Sequence, residues 1–200
     1  MPATSPPLRL ILGSTSRYRR ELLSRLRLSF DVVAPDVDES ARPGETPGAL
    51  ARRLALAKAR AVAALHPAAV VIGADQVCDL NGQALGKPGT HPLAAAQLRQ
   101  LSGQTAIFHT AVAVVRHDTG FEGQDVATVR TVFRALSAAE IEHYLRLDEP
   151  FDCAGSAKSE ALGIALLASI DSDDPTALVG LPLIRTLNLL RLAGVDPLRA

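Results

Sequence analysis

Cysteine is scarce in this sequence, tryptophan is absent and aromatic residues make up 4% of the chain. Cys78 and Cys153 are the only thiols, and no close spacing links them. Such a pair makes neither a disulfide framework nor a zinc site, so both read as free core thiols in a reducing cytosol. An excess of either charge is missing too: Lys+Arg and Asp+Glu both number 21. That balance argues against broad binding to nucleic acid or to a membrane surface, and any anion site must be a local concentration of charge. No apolar run reaches the ~18 to 20 residues of a membrane span. The opening "MPATSPPLRL" lacks a charged segment followed by an apolar one, so no signal peptide is expected. The phosphate and hydrolase signatures G-x-G-x-x-G, H-E-x-x-H, C-x-x-C and G-x-S-x-G do not occur. "GQALGKP" is one residue short of a Walker loop and carries Pro88 where a hydroxyl should ligate magnesium.

What is present is apolar material for a sizeable core, 48% of 200 residues, organised as one domain over 1–200 with a frayed tail at 1–7. Strand one is expected at about 8–13, followed by a helix capped by Ser16. "SFDVVAP" alternates as a second strand, and "DVDESARPGE" is a polar loop carrying four acids. Thr46 and Pro47 mark the start of a helix whose apolar stripe is Leu50, Leu54, Ala57, Ala61 and Leu65. "AAVVIGAD" reads as a buried strand ending at Asp75, and "VCDLNGQAL" as a hairpin turning at Asn81-Gly82. A helix at 92–101 precedes two long strands, about 104–116 and 124–135, joined at "HDTG". Ser137 and Glu140 form a capping box, "ALGIALLASI" reads as another strand, and the last helix runs from Pro182 to a stop at Gly194. Hairpins and helix-linked strands together predict an α/β fold with a mixed twisted sheet and flanking helices.

The chemistry begins at "ILGSTSRYRRELLSRL". Arg17, Arg19 and Arg20 stand in the first turn of a helix, where the dipole disfavours cations. A Ser/Gly turn between strand and helix offers backbone N–H groups and small hydroxyls to a phosphate, and arginines aimed there suit a polyphosphate. A solvated basic face is the competing explanation for the same residues. Asp75, at the end of an apolar strand, stands where ligand-facing groups of open α/β sheets sit, or serves as a plain turn aspartate. Glu39 in the acidic loop can join it around a hard divalent cation, or be simply solvated. Lys58 among alanines either snorkels or serves the site, and Lys87 sits on a stiff Gly86-Pro88 turn. The five histidines are scattered and read as structural or solvated.

"LILGSTSRYRRELLSRL", "DVDES", "RLALAKARAV", "VIGADQVCDLNGQALGKP", "LSGQ…HTAVAV" and "EPFDCAGSAKSEALG…LVGLPL" together resemble, in order, the signature blocks of Maf-like proteins, over residues 8 to about 195. The resemblance implies a cytoplasmic, commonly homodimeric nucleoside triphosphate pyrophosphatase that splits the α–β phosphoanhydride and needs a divalent cation, magnesium or manganese. It implies two lobes around a central nucleotide cleft, as in inosine triphosphatases. Ser14, Arg19 and Arg20 would bind the substrate; Asp75, Lys58, Lys87 and Arg19 would act in catalysis, Asp75 as proton acceptor; Glu39 and Asp75 would hold the metal. "ADQVC" and "CAGSAKSE" resemble the branch that prefers 7-methyl-GTP, with specificity positions at Tyr18, Gln76 and Glu160. The dTTP/UTP branch typically shows "ADT" and a tyrosine-containing block there. A methylated, cationic guanine suits an aromatic face and an acid. No membrane or nucleic-acid partner is expected; a nucleotide-binding regulator of septum formation without turnover is the rival from another class. Two departures stand out. Arg17 replaces the usual proline, which should leave the turn less fixed. Ala161 replaces a usual glycine, where a Cβ would strain a positive φ.

Overall fold

The computed structural model describes residues 8–199, so the tail expected at 1–7 lies outside the described residues. Strand β1 (Leu10–Gly13) leads into helix α1 (Arg17–Ser24), short strand β2 (Asp31–Val32) and the long helix α2 (Pro47–Leu65). Strand β3 (Val70–Leu80) and its hairpin partner β4 (Gln83–Leu85) follow, then α3 (His91–Leu101), β5 (Thr105–Arg116), β6 (Phe121–Phe133) and α4 (Ala138–Asp148). Strand β7 (Leu167–Asp171) and helix α5 (Leu183–Leu192) complete the order. The strands form one seven-stranded sheet, β2-β1-β3-β5-β6-β7, with β4 on the free edge of β3. β1 runs parallel to β2 and β3, while β5, β6 and β7 continue antiparallel, so the sheet is mixed as expected.

The local signals at element ends work as the residue types dictate. Ser16 Oγ accepts from Arg19 N and Thr46 Oγ1 from Ala49 N, capping α1 and α2. Ser137 and Glu140 form the full capping box of α4. Asn81 and Gly82 both take positive φ, 53° and 86°, the requirement of a tight hairpin.

Side chains alternate between the faces of a strand, and β3 uses this fully. Its odd residues Val71 and Val77 meet α2 through Ala55, Ala59 and Val62. Gly73 lets α2 lie close, because a Cβ there would stand 2.3 Å from Ala55 O. On the even face two apolar clusters share β3 and β5. Val70, Ile72 and Ala74 join Val112 and Val114 beneath α1 and α5. Cys78 and Leu80 join Phe108 with α3 and α4. The polar pair Gln76 and Thr110, opposite one another in register, separates the two clusters. That break is the physical content of the two expected lobes.

Four expectations need correction. β3 does not end at Asp75 but continues to Leu80. β1 stops opposite Gly73 and β4 ends, at Leu85, opposite Cys78, so residues 74–77 have a strand neighbour only in β5. The aspartate ends the parallel part of the sheet, not its own strand. "SFDVVAP" contributes only Asp31–Val32, because β1 offers just Ile11 and Leu12 to pair with. Only the second half of "ALGIALLASI" is strand, in β7; Leu162–Leu166 is a 3-10 turn, where Gly163 N donates to Asp148 Oδ2 and its Cα packs on the Lys158 backbone. In α2 the buried stripe is Leu50, Leu54, Lys58 and Val62 with their alanine neighbours, and Leu65 is 71% exposed.

Candidate active site

The stretch of β3 without a β1 neighbour opens onto a cleft of about 400 Å³, within the usual range of small-ligand sites. Tyr18, Arg19, Glu39, Lys58, Asp75, Gln76, Lys87 and Glu160 all line it. α1 brings Tyr18 and Arg19, α2 brings Lys58, and the gap in the sheet exposes both Asp75 and Gln76 although they point to opposite faces.

On the α2 face, Lys58 is buried and bridges two acids. Its Nζ lies 2.7 Å from Asp75 Oδ1 and 2.8 Å from Glu39 Oε1. A buried ammonium needs such partners, because an unpaired charge there would cost several kcal/mol, on the order of 3 or more. Asp75 Oδ2 carries no bond among the described residues and is not a buried orphan, so it opens to the cleft. Arg19 is held differently. Its Nε donates to Gly180 O at 2.9 Å and Nη1 to Ser14 Oγ at 3.4 Å. Burial pulls its guanidinium below the ordinary value, against which Asp75 and Glu39 act. Arg19 and exposed Lys87 make no ion pair among the described residues. Two cations in one cleft without carboxylate partners are available to an anion.

Opposite, Tyr18 donates from its hydroxyl to Asp152 Oδ1 at 3.2 Å and accepts from Arg17 Nη2 at 2.7 Å. The Arg17 guanidinium lies 4.8 Å from the Tyr18 ring centroid, so one face of the ring already carries a cation. Burial raises the Tyr18 hydroxyl and pushes the Cys153 thiol to about 12. Cys153 therefore lines the cleft as a neutral thiol, and Cys78 is buried and free. Glu160 is exposed by surface area, yet crowding of its carboxyl raises its pKa, with Lys158 acting in the other direction.

Not every residue expected here is brought in. Arg20 is exposed and faces away from the cleft, onto a shallow surface with Glu21 and Phe30. Ser14 is 4% exposed and stands behind Arg19, while Ser16 reaches the lining. The Ser/Gly turn is partly self-satisfied: Ser14 N donates to Leu12 O and Ser16 N to Ser14 Oγ. The two departures are accommodated locally. Arg17 occupies the first helical position and the Ser16 cap forms without proline. Ala161 has φ −133°, so no left-handed strain arises. Sequence reasoning missed Asp152, Thr110 and the carbonyl of Gly180. The first two stood inside quoted blocks, but nothing in residue type set them apart; a main-chain carbonyl has no side-chain signal at all.

A family model described as Maf-like protein matches residues 9–193. This chain belongs to the Maf-like family. Two relatives bear the name 7-methyl-GTP pyrophosphatase at high identity to the Maf-like chain described here. That from Polaromonas sp. is 68% identical over 96% of this chain and 87% of its own length. That from Albidiferax ferrireducens is 67% identical over 96% of both chains. A third of the same name, from Bordetella pertussis, is 56% identical over 99% and 98%. A solved structure of a HAM1 protein from Coxiella burnetii aligns with TM-score 0.47 and 18% identity, over 64% of this chain and 73% of that one.

Proposed function

We propose that this chain is a nucleoside triphosphate pyrophosphatase that hydrolyses 7-methyl-GTP to the monophosphate and pyrophosphate. The observation that carries the reading is the pairing, in one cleft, of cations without carboxylate partners and an aspartate with one open oxygen. The names of the relatives support the choice of substrate.

Arg19 and Lys87 would neutralise phosphate oxygens, and Lys58 would add its charge while holding Asp75 in place. Asp75 Oδ2 would take a proton from the attacking water. The water oxygen bonds to phosphorus, the α–β bridging bond breaks, and pyrophosphate leaves. Such phosphoryl chemistry is largely positioning and electrostatics. The donor set fits a divalent cation: two carboxylates, Glu39 and Asp75, already converge on one positive charge, and magnesium commonly takes one or two carboxylates plus substrate phosphates. No cluster of three metal-ligating side chains exists among the described residues, so substrate and water would complete the shell. When bound, magnesium or manganese would neutralise charge on the triphosphate.

The same reading carries a cytoplasmic homodimer acting as one domain over the whole chain. No helix among the described residues is long and apolar enough to cross a membrane. Light scattering on the purified chain tests the dimer.

The test of function is pyrophosphate release from a panel of canonical and modified triphosphates with magnesium or manganese, wild type beside Asp75→Asn. Asp75-dependent cleavage of 7-methyl-GTP supports the reading. Preference for dTTP or UTP keeps the reaction and overturns the substrate. Tight binding without cleavage overturns the enzyme and favours a regulator.

A further inference from the structure

We propose that Thr110, together with the main-chain carbonyls of Ala177 and Leu178, locks the Gln76 carboxamide with its oxygen toward the cleft, so that the site reads a base through an N–H donor edge. This rests on the reading above, that a nucleotide base enters the cleft.

Gln76 Nε2 lies 3.0 Å from each of three oxygens: Thr110 Oγ1, Ala177 O and Leu178 O. The two ends of a side-chain amide are hard to tell apart by shape, and only the partners decide. Here the two carbonyls can only accept, so the atom facing them must be the NH2 group. Thr110 is fully buried and sits directly across the ladder from Gln76. Its single hydroxyl hydrogen goes to Ala177 O at 2.9 Å, which leaves its oxygen to accept from Gln76. The amide has two hydrogens for three oxygens; with Ala177 O already accepting from Thr110, giving them to Thr110 Oγ1 and Leu178 O satisfies all three, and the relay then runs from amide to hydroxyl to carbonyl.

Gln76 Oε1 therefore has no partner among the described residues, and it is not a buried orphan. It opens into the cleft that Gln76 lines. Glu160 lines the same cleft and accepts when ionised. A wall of acceptors matches a base edge with adjacent donors. Guanine presents N1–H and a 2-amino group side by side. Uracil and thymine present one imino donor between two carbonyls, and adenine one amino donor beside an acceptor nitrogen. A site that leaves its acceptors unpaired against the wrong edge rejects that edge.

Thr110 is thus a positioning residue. It acts on the base only through the amide it holds and the 177–180 turn it anchors. The test compares kcat/KM for 7-methyl-GTP with two analogues, 7-methyl-ITP, which lacks the 2-amino group, and 1,7-dimethyl-GTP, which lacks N1–H. Wild type should prefer 7-methyl-GTP over at least one analogue by about tenfold, the worth of one neutral hydrogen bond. Thr110→Val should shrink that preference severalfold, and Thr110→Ser should restore it. Absence of discrimination in the wild type overturns the donor-edge reading. An equal fall for all substrates in Thr110→Val, or an unchanged preference, overturns the role of Thr110. Calorimetric affinities for 7-methyl-GMP and 7-methyl-IMP give the comparison without turnover. A preference there with no hydrolysis sinks the enzyme and keeps the donor edge; hydrolysis without a preference does the reverse.

Discussion

Asp75 and Gln76 are adjacent in the chain, yet they furnish opposite faces of β3 with opposite chemistry. On the Asp75 face, charges compensate one another: Lys58 between Asp75 and the half-open Glu39. On the Gln76 face no charge is involved, and a neutral amide is pinned by a hydroxyl and two main-chain carbonyls. A charge cluster can be redistributed when a charged ligand arrives, because each group has an alternative partner of the right sign. A neutral group pinned by backbone has no such alternative, so it keeps its shape. The first arrangement suits the changing charge of phosphoryl transfer; the second suits recognition that must not adapt.

If that division is right, the two neighbours should fail differently. Asp75→Asn should lower turnover by at least about 10²-fold, the usual worth of a general base. Gln76→Leu should leave kcat within about tenfold while eroding the choice of base, since one neutral hydrogen bond is lost. Pyrophosphate release across the nucleotide panel measures both. Equal losses in kcat for the two variants would erase the contrast.

The charged face also depends on how near α2 can come. Gly73→Ala should cost about 3 kcal/mol in chemical denaturation, because the added methyl meets helix backbone rather than a yielding side chain. A cost under about 1 kcal/mol would show that α2 can move away without harm.

Glu160 sharpens the comparison through pH. Partial desolvation of its carboxyl, in a residue otherwise exposed, raises its folded pKa above the unfolded value, so its contribution to stability is present below the unfolded value and lost as pH rises through the folded one. Glu160→Gln should therefore be slightly more stable than wild type at neutral pH, by a margin that solvent screening of this exposed residue keeps small, and equal to it once the pH falls below the unfolded value. Thermal melts across that range decide it. A variant less stable at neutral pH would mean that the carboxylate is held by a partner.

The smallest effect is expected outside the cleft. Arg20→Ala should change kcat/KM by less than about twofold, as a solvated surface charge does. A larger loss would bring Arg20 back to the phosphates.

How much was legible follows from the range of each signal. Caps at Ser16, Thr46 and Ser137 and the Asn81-Gly82 turn are set by residues within a few positions, and the structure has them all. The 162–166 stretch looked like a strand because its apolar run is local, while the Lys158 backbone and Asp148 that curl it are tertiary partners. Leu65 fitted a helical stripe, but it is the last residue of α2 and stands 71% exposed.

The site divides in the same way. The residue types alone determined that a Ser/Gly turn, arginines, two lysines and two acids were present, and their family blocks determined their order. Only the fold decided that Arg19 enters the cleft and Arg20 does not, a matter of which side of a short helix meets Gly180 from 161 residues away. Only the fold decided that Asp75 lies in a gap of the sheet, because how far β1 and β4 each extend along β3 is a question of register between strands. Side-chain chemistry is written locally; which atom of Gln76 faces a ligand depends on carbonyls more than a hundred residues away.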